Sequence, residues 1–267
     1  MVLVENNVRV AVYDLNPNGK KAVVMIHGWP LAGEIFEYQQ EMLVNNGYRV
    51  VTIDLRGFGN SDVTADGYTY DQFAIDLFHI VRNLNLNNFI LAGFSMGGGI
   101  ALRYMNLCNG YGVNKLCLLG AAAPSFTRRP GFPYGVTPES VNQLIMQAAA
   151  DRADLCANFS RRLLNTQHSD AIKDWFGKIA LQASGIGTIL AAYSLRDEDC
   201  RPDMSSVHVP TGIFHGQKDV IVPFELGVLQ HETIPHSDFY PFENSGHAIF
   251  YDELPLFNQL FLEFLEK

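Results

Sequence analysis

The sequence predicts an α/β architecture, a mostly parallel sheet wrapped by helices on both faces, and three observations predict it. Short apolar runs (Ala22–Ile26, Tyr48–Ile53, Asn88–Ala92, Lys115–Leu119) alternate with longer segments of helical period such as Thr69–Leu84 and Gly97–Cys108. The run at Ala22–Ile26 is apolar throughout, the pattern of a strand covered on both faces. The runs end in His27-Gly28, Asp54, Ser95 and Gly120. In such sheets ligands bind at the carboxyl ends of strands, so these residues should share one rim.

Each element follows in order. Val8 to Asp14 alternates apolar and polar residues and reads as an early strand at the sheet edge, closed by the turn Asn16-Pro-Asn-Gly19. Glu34 to Leu43 is amphipathic and stops at Asn45-Asn-Gly47. Thr69 to Leu84 sets Tyr70, Phe73, Leu77, Ile80, Val81 and Leu84 on one face. The alternation then breaks. Ser125 to about Ser206 is strand-poor, entered through the loop Arg128–Gly135, with helical patterns at Pro138–Ala150, Ala153–Leu164, Asp170–Gln182 and Ile186–Leu195. A strand resumes at Thr211–His215, so the stretch reads as an insertion: a core of residues 1–124 and 207–267 carrying a helical cap, 125–206. A helix near Phe224–Glu232, a strand at Asp238–Pro241 and a C-terminal helix burying Phe257, Phe261 and Phe264 close the chain.

Composition narrows the function. The 267 residues are 48% hydrophobic and 18% charged, as in a globular enzyme-sized chain. A formal charge of −9 excludes the basic footprint that nucleic acid or an anionic membrane surface requires. The four cysteines show no metal-binding spacing and read as thiols of a reducing compartment. The first residues carry no basic n-region followed by a long apolar run, and no apolar stretch approaches the ~18 residues of a membrane span. A cytoplasmic chain is expected; the sequence leaves its oligomeric state open, a homo-oligomer included.

The chemistry centres on Gly93-Phe94-Ser95-Met96-Gly97, set between a strand and a helix. That context is the one a nucleophile elbow requires: a tight turn exposes the serine hydroxyl, and flanking glycines let strand and helix approach. A serine hydroxyl needs a base to take its proton and a carboxylate to orient that base. In this architecture they follow in the order Ser, acid, His. Asp219 lies just past the strand at Thr211–His215, and His247 in a loop before the last helix. His79, His168 and His231 fall within helical patterns, and His27 and His215 end strands in positions explained by packing. Asp197, Asp199 and Asp203 read as solvated charges of the cap exit, and Asp54 as a carboxylate satisfied by Arg56 or a nearby amide. The oxyanion would be held by the backbone N–H groups of Met96 and Trp29. Pro30 restricts Trp29 to extended conformations.

These residues resemble a known family. His27-Gly-Trp-Pro-Leu31, Asp54-Leu-Arg-Gly-Phe-Gly-x-Ser61, Gly93-Phe-Ser-Met-Gly-Gly-Gly99, Arg201-Pro-Asp-Met204 and Asp219-x-Ile-Val-Pro223 together resemble the α/β-hydrolase family of cofactor-free haloperoxidases, aryl esterases and perhydrolases. The resemblance implies the α/β-hydrolase fold and hydrolysis of small aryl or short-chain carboxylic esters through an acyl-serine, with perhydrolysis or haloperoxidation as a side activity. By it Ser95 is the nucleophile, His247 the base and acid, Asp219 the orienting carboxylate, Trp29 and Met96 the oxyanion hole, and Phe126 and Phe159 the pocket-lining aromatics. No cofactor and no metal are implied, and the sequence carries no dinucleotide fingerprint, P-loop or H-E-x-x-H. Gln217-Lys218 departs from the Gly-Asp or Gly-Asn pair common in the family before the acid. A C–C bond hydrolase or lactonase on the same triad, and a ligand receptor with slow turnover, are the competing readings.

Overall fold

The computed structural model describes residues 1–267. Its strands are β1 (Val2–Glu5), β2 (Val8–Leu15), β3 (Ala22–Ile26), β4 (Arg49–Asp54), β5 (Phe89–Phe94), β6 (Val113–Leu119), β7 (Thr211–Gly216) and β8 (Ser237–Phe242). The α-helices are α1 (Glu37–Asn45), α2 (Tyr70–Asn83), α3 (Met96–Leu107), α4 (Pro138–Ala150), α5 (Arg152–Arg162), α6 (Asp170–Leu181), α7 (Gly185–Asp197), α8 (Phe224–Thr233), α9 (Ile249–Asp252) and α10 (Leu254–Glu266). The eight strands form one sheet in the order β1-β2-β4-β3-β5-β6-β7-β8. The pairs from β4 to β8 are parallel, and β1 and β2 are antiparallel additions.

The apolar runs form the strands they predict, and β3 and β5 are buried at every residue. Helix starts follow side-chain caps: Thr69, Thr137, Asp151, Ser169 and Ser184 each accept a hydrogen bond from a first-turn amide. Strand β1 was not expected. It alternates buried Val2 and Val4 with exposed Leu3 and Glu5, but a run this short gives periodicity little to register. It pairs with β2, so β2 is not the edge strand its pattern suggested.

Two further expectations are corrected. Asp203 is not solvated: it is 2% exposed and accepts hydrogen bonds from Arg103 Nε at 2.8 Å and Asn106 Nδ2 at 2.6 Å. The segment leaving the inserted helices packs on α3, and a carboxylate buried there is tolerable only with that cation beside it. His168 lies in the connector between α5 and α6 rather than in a helix, with Nε2 3.1 Å from Asp252.

His27 and His215 are fully buried, and burial pushes both imidazoles below the ordinary histidine value. His27 Nε2 accepts from Leu55 N–H at 3.0 Å and Nδ1 donates to Gly28 O at 2.9 Å, so a second ring proton would break a buried hydrogen bond. The folded-state pKa lies below the unfolded value of about 6.5, so the unfolded chain binds more protons as pH falls. Stability is therefore expected to be flat above neutrality and to drop below about pH 6.5, by up to ~1.4 kcal/mol per pH unit per histidine. Urea titrations between pH 8 and 5 check this, and an unchanged midpoint across that range would contradict it.

Candidate active site

Ser95 joins β5 to α3 with φ 55° and ψ −119°, in the half of the map that side chains avoid. The backbone around it holds the turn. Ser95 N–H donates to Leu119 O at 3.0 Å, and Ser95 O accepts from Gly98 and Ala122 N–H, each at 2.9 Å. A Cβ at Gly97 would lie 2.4 Å from Ile26 O, and one at Gly93 would lie 2.3 Å from Gly97 O. Only glycine lets β5, α3 and the end of β3 converge there. Ser95 is 6% exposed and its side chain faces Gly28: a Cβ on Gly28 would be 3.2 Å from Ser95 Oγ.

Asp219 and His247 meet across the ends of β7 and β8. His247 Nδ1 lies 2.6 Å from Asp219 Oδ2, with both side chains buried. A carboxylate at Nδ1 makes Nδ1 the protonated nitrogen and leaves the Nε2 lone pair free. Nε2 has no hydrogen-bond partner in the protein. The ring packs 4.7 Å from that of Phe94, the residue before Ser95, and against Gly120. Asp219 Oδ1 accepts from the N–H groups of Ile221 and Val222, each at 2.8 Å. Burial alone would push this carboxyl up, but the charge and hydrogen bond of His247, with His215 and the Val222 amide, hold it below the ordinary carboxylate range.

Trp29 is buried, its indole donating to Thr188 O of α7 at 2.8 Å and its ring set edge-on to Phe159 at 5.4 Å. Met96 is the first residue of α3, where N–H groups have no intrahelical acceptor. Phe126 and Phe159 line one cavity of about 390 Å³ with Val141, Leu144, Val220 and Ile221. It adjoins Asp219 through Val220 and Ile221 and adjoins Trp29 through Phe159. Ser95 and His247 do not line it. A larger cavity, about 580 Å³, lies among Tyr13, Glu34, Asp54 and Gln182 and contains none of these residues.

The sequence reading left Asp54 two partners, and the amides are the ones it takes: Gly33 N–H to Oδ1 and Asn60 N–H to Oδ2, both at 2.8 Å, with Tyr13 OH at 3.0 Å. Arg56 instead makes two 2.7 Å bonds to Asp76. Asp54 thereby anchors the loop that leaves Trp29. Asp252 was missed altogether. Its buried carboxylate accepts from Gly246 N–H at 2.7 Å, beside His247, and from Asn165 and Thr166 N–H at 2.8 and 2.9 Å, in the connector between α5 and α6. No local pattern marks such a residue, because the partners that bury it together with Gly246, Asn165 and Thr166, are remote in the chain.

A strand–elbow–helix serine on a parallel sheet, with a buried Asp–His pair beyond the ends of β7 and β8, defines a class of protein, the α/β hydrolases. The profile described as "alpha/beta hydrolase fold" matches residues 21–254. The chain is 42% identical to the AB hydrolase superfamily protein YisY of Bacillus subtilis, over 97% of this chain and 96% of that one. It is 32% identical to a putative non-heme chloroperoxidase of Synechocystis, over 98% of this chain and 97% of that one. Among solved structures, an esterase from Exiguobacterium antarcticum superposes with a TM-score of 0.96 at 40% identity, covering 100% of this chain and 98% of that one. The chain belongs to the α/β-hydrolase fold family, among its non-heme haloperoxidase-type and esterase members, and it is an enzyme. No helix is long and apolar enough to cross a membrane.

Proposed function

We propose that the protein is a serine hydrolase that cleaves small aryl or short-chain carboxylic esters through an acyl-serine intermediate. The observation that carries this reading is the buried 2.6 Å contact between His247 Nδ1 and Asp219, which leaves Nε2 unpartnered on the rim where Ser95 sits. In this mechanism His247 Nε2 takes the Ser95 proton as Oγ attacks the ester carbonyl, and the imidazolium then returns it to the leaving alcohol or phenol. The oxyanion is received by the N–H groups of Met96 and Trp29; Trp29 N–H has no backbone acceptor of its own. Water, activated by the same nitrogen, attacks the acyl-serine and releases the acid. Hydrogen peroxide entering in place of water would release a peracid, a side activity in keeping with the chloroperoxidase relative.

Phe126 and Phe159 line the substrate cavity in this reading, and residues 125–206 act as a cap whose α7 holds the Trp29 indole. Phenol release from phenyl acetate and phenyl butyrate tests the proposal. A pre-steady-state burst of one phenol per chain is expected where deacylation is the slower step. Release by folded protein no faster than in buffer would overturn it.

Asp252 bears on the same chemistry. Asp252→Asn keeps one acceptor oxygen but turns an amide donor toward N–H groups that Asp252 now receives. We expect kcat to fall about 10- to 100-fold as the His247 loop shifts, with a stability loss of about 1.5–3 kcal/mol. Steady-state kinetics and a thermal melt read both, and an unaltered kcat would refute the coupling.

A further inference from the structure

The 390 Å³ cavity beside Asp219 has mostly apolar walls, and its polar lining is neutral except for one residue, Arg162 at the end of α5. Arg162 Nη2 makes a long 3.3 Å hydrogen bond to the carbonyl of Val220. Val220 is an exposed residue, which puts this guanidinium at the cavity mouth. No carboxylate pairs with Arg162; Arg82, Arg128, Arg152 and Arg161 are unpaired as well, but Arg162 alone among the arginines lines this cavity. The inner walls reach the proposed chemistry from two sides. Phe159 packs on Trp29, and Ile221 N–H is one of the donors to Asp219.

We propose that this cavity binds an apolar substrate chain that ends in an anion, with the anion held by Arg162, so that the preferred esters carry a terminal carboxylate. The inference rests on the serine-esterase reading and names its substrate class. An apolar chain loses water against Phe126, Val141 and Leu144 at no polar cost, whereas a carboxylate carried inward would be desolvated with no partner. At the mouth it meets a planar donor fork built for it. The chain's net charge of −9 repels anionic substrates at long range, so a preference for them must come from a local cation.

The test compares kcat/KM for phenyl monoesters of linear dicarboxylic acids with phenyl esters of straight-chain monocarboxylic acids of equal length. A second series places the carboxylate on the alcohol side. Wild type is expected to favour the anionic ester about three- to tenfold in one series, the yield of a partly exposed charge pair, and less as salt is raised. Arg162→Met is expected to bring the ratio to about one, and Arg162→Glu below one, with melting temperatures confirming folded protein. A wild-type ratio at or below one in both series overturns the inference, as does a ratio that neither variant changes. In those cases the neutral ester is still hydrolysed. Failure on the neutral ester too would remove the esterase reading itself.

Discussion

Ser95→Ala is expected to lower kcat for phenyl ester hydrolysis by on the order of 10⁵-fold and to leave the fold intact. The substitution deletes one oxygen. Alanine keeps the Cβ, so the cost of holding a side chain at φ 55° is unchanged. The bonds that pin the turn, Ser95 N–H to Leu119 O and Gly98 and Ala122 N–H to Ser95 O, are all backbone. What disappears is the atom that forms the acyl intermediate. The residual rate would be what the oxyanion donors and substrate binding supply over water. Phenol release by wild type and variant, with circular dichroism as the fold control, decides it. A folded Ser95→Ala protein retaining a tenth of wild-type activity would sink the acyl-serine mechanism.

Asp219→Asn is expected to cost about 10⁴ in kcat, a loss set by hydrogen-bond polarity rather than size. The native carboxylate is acceptor-only: Oδ1 receives Ile221 and Val222 N–H, and Oδ2 receives His247 Nδ1–H. An asparagine oriented to keep both amide bonds presents its NH₂ to Nδ1. Nδ1 must then accept, the ring proton moves to Nε2, and the base loses the lone pair that takes the serine proton. The opposite orientation sets NH₂ against two N–H donors in a buried site. The kinetic loss should therefore come with a lower melting temperature. A variant within tenfold of the wild-type kcat would show that Asp219 does not orient the base.

How much of this was legible in the chain depended on distance along it. The elbow occupies a single contiguous stretch, Phe89–Phe94, Ser95, then Met96–Leu107. Strand, turn glycines and helix could thus be read from adjacent residues. The inserted helices showed themselves through their helical pattern and the absence of strand runs, and α4 has the bounds its pattern predicted. Asp219 and His247 were found by chain order and by their positions after strands, without any knowledge of the 2.6 Å contact between them.

The sequence by itself determined the α/β class, the serine on its elbow and the short list from which an acid and a base could come. Tertiary structure alone decided which buried polar groups meet. Asp203 looked solvated because its partner Arg103 lies 100 residues away. Asp252 carried no signal in the sequence because it joins Gly246, six residues back, to Asn165, 87 residues back. The physical reason is that periodicity records how far each position is removed from water, a property of short range along the chain. A buried charge or carboxylate is made tolerable by whichever group the fold brings against it, and no local pattern carries that pairing.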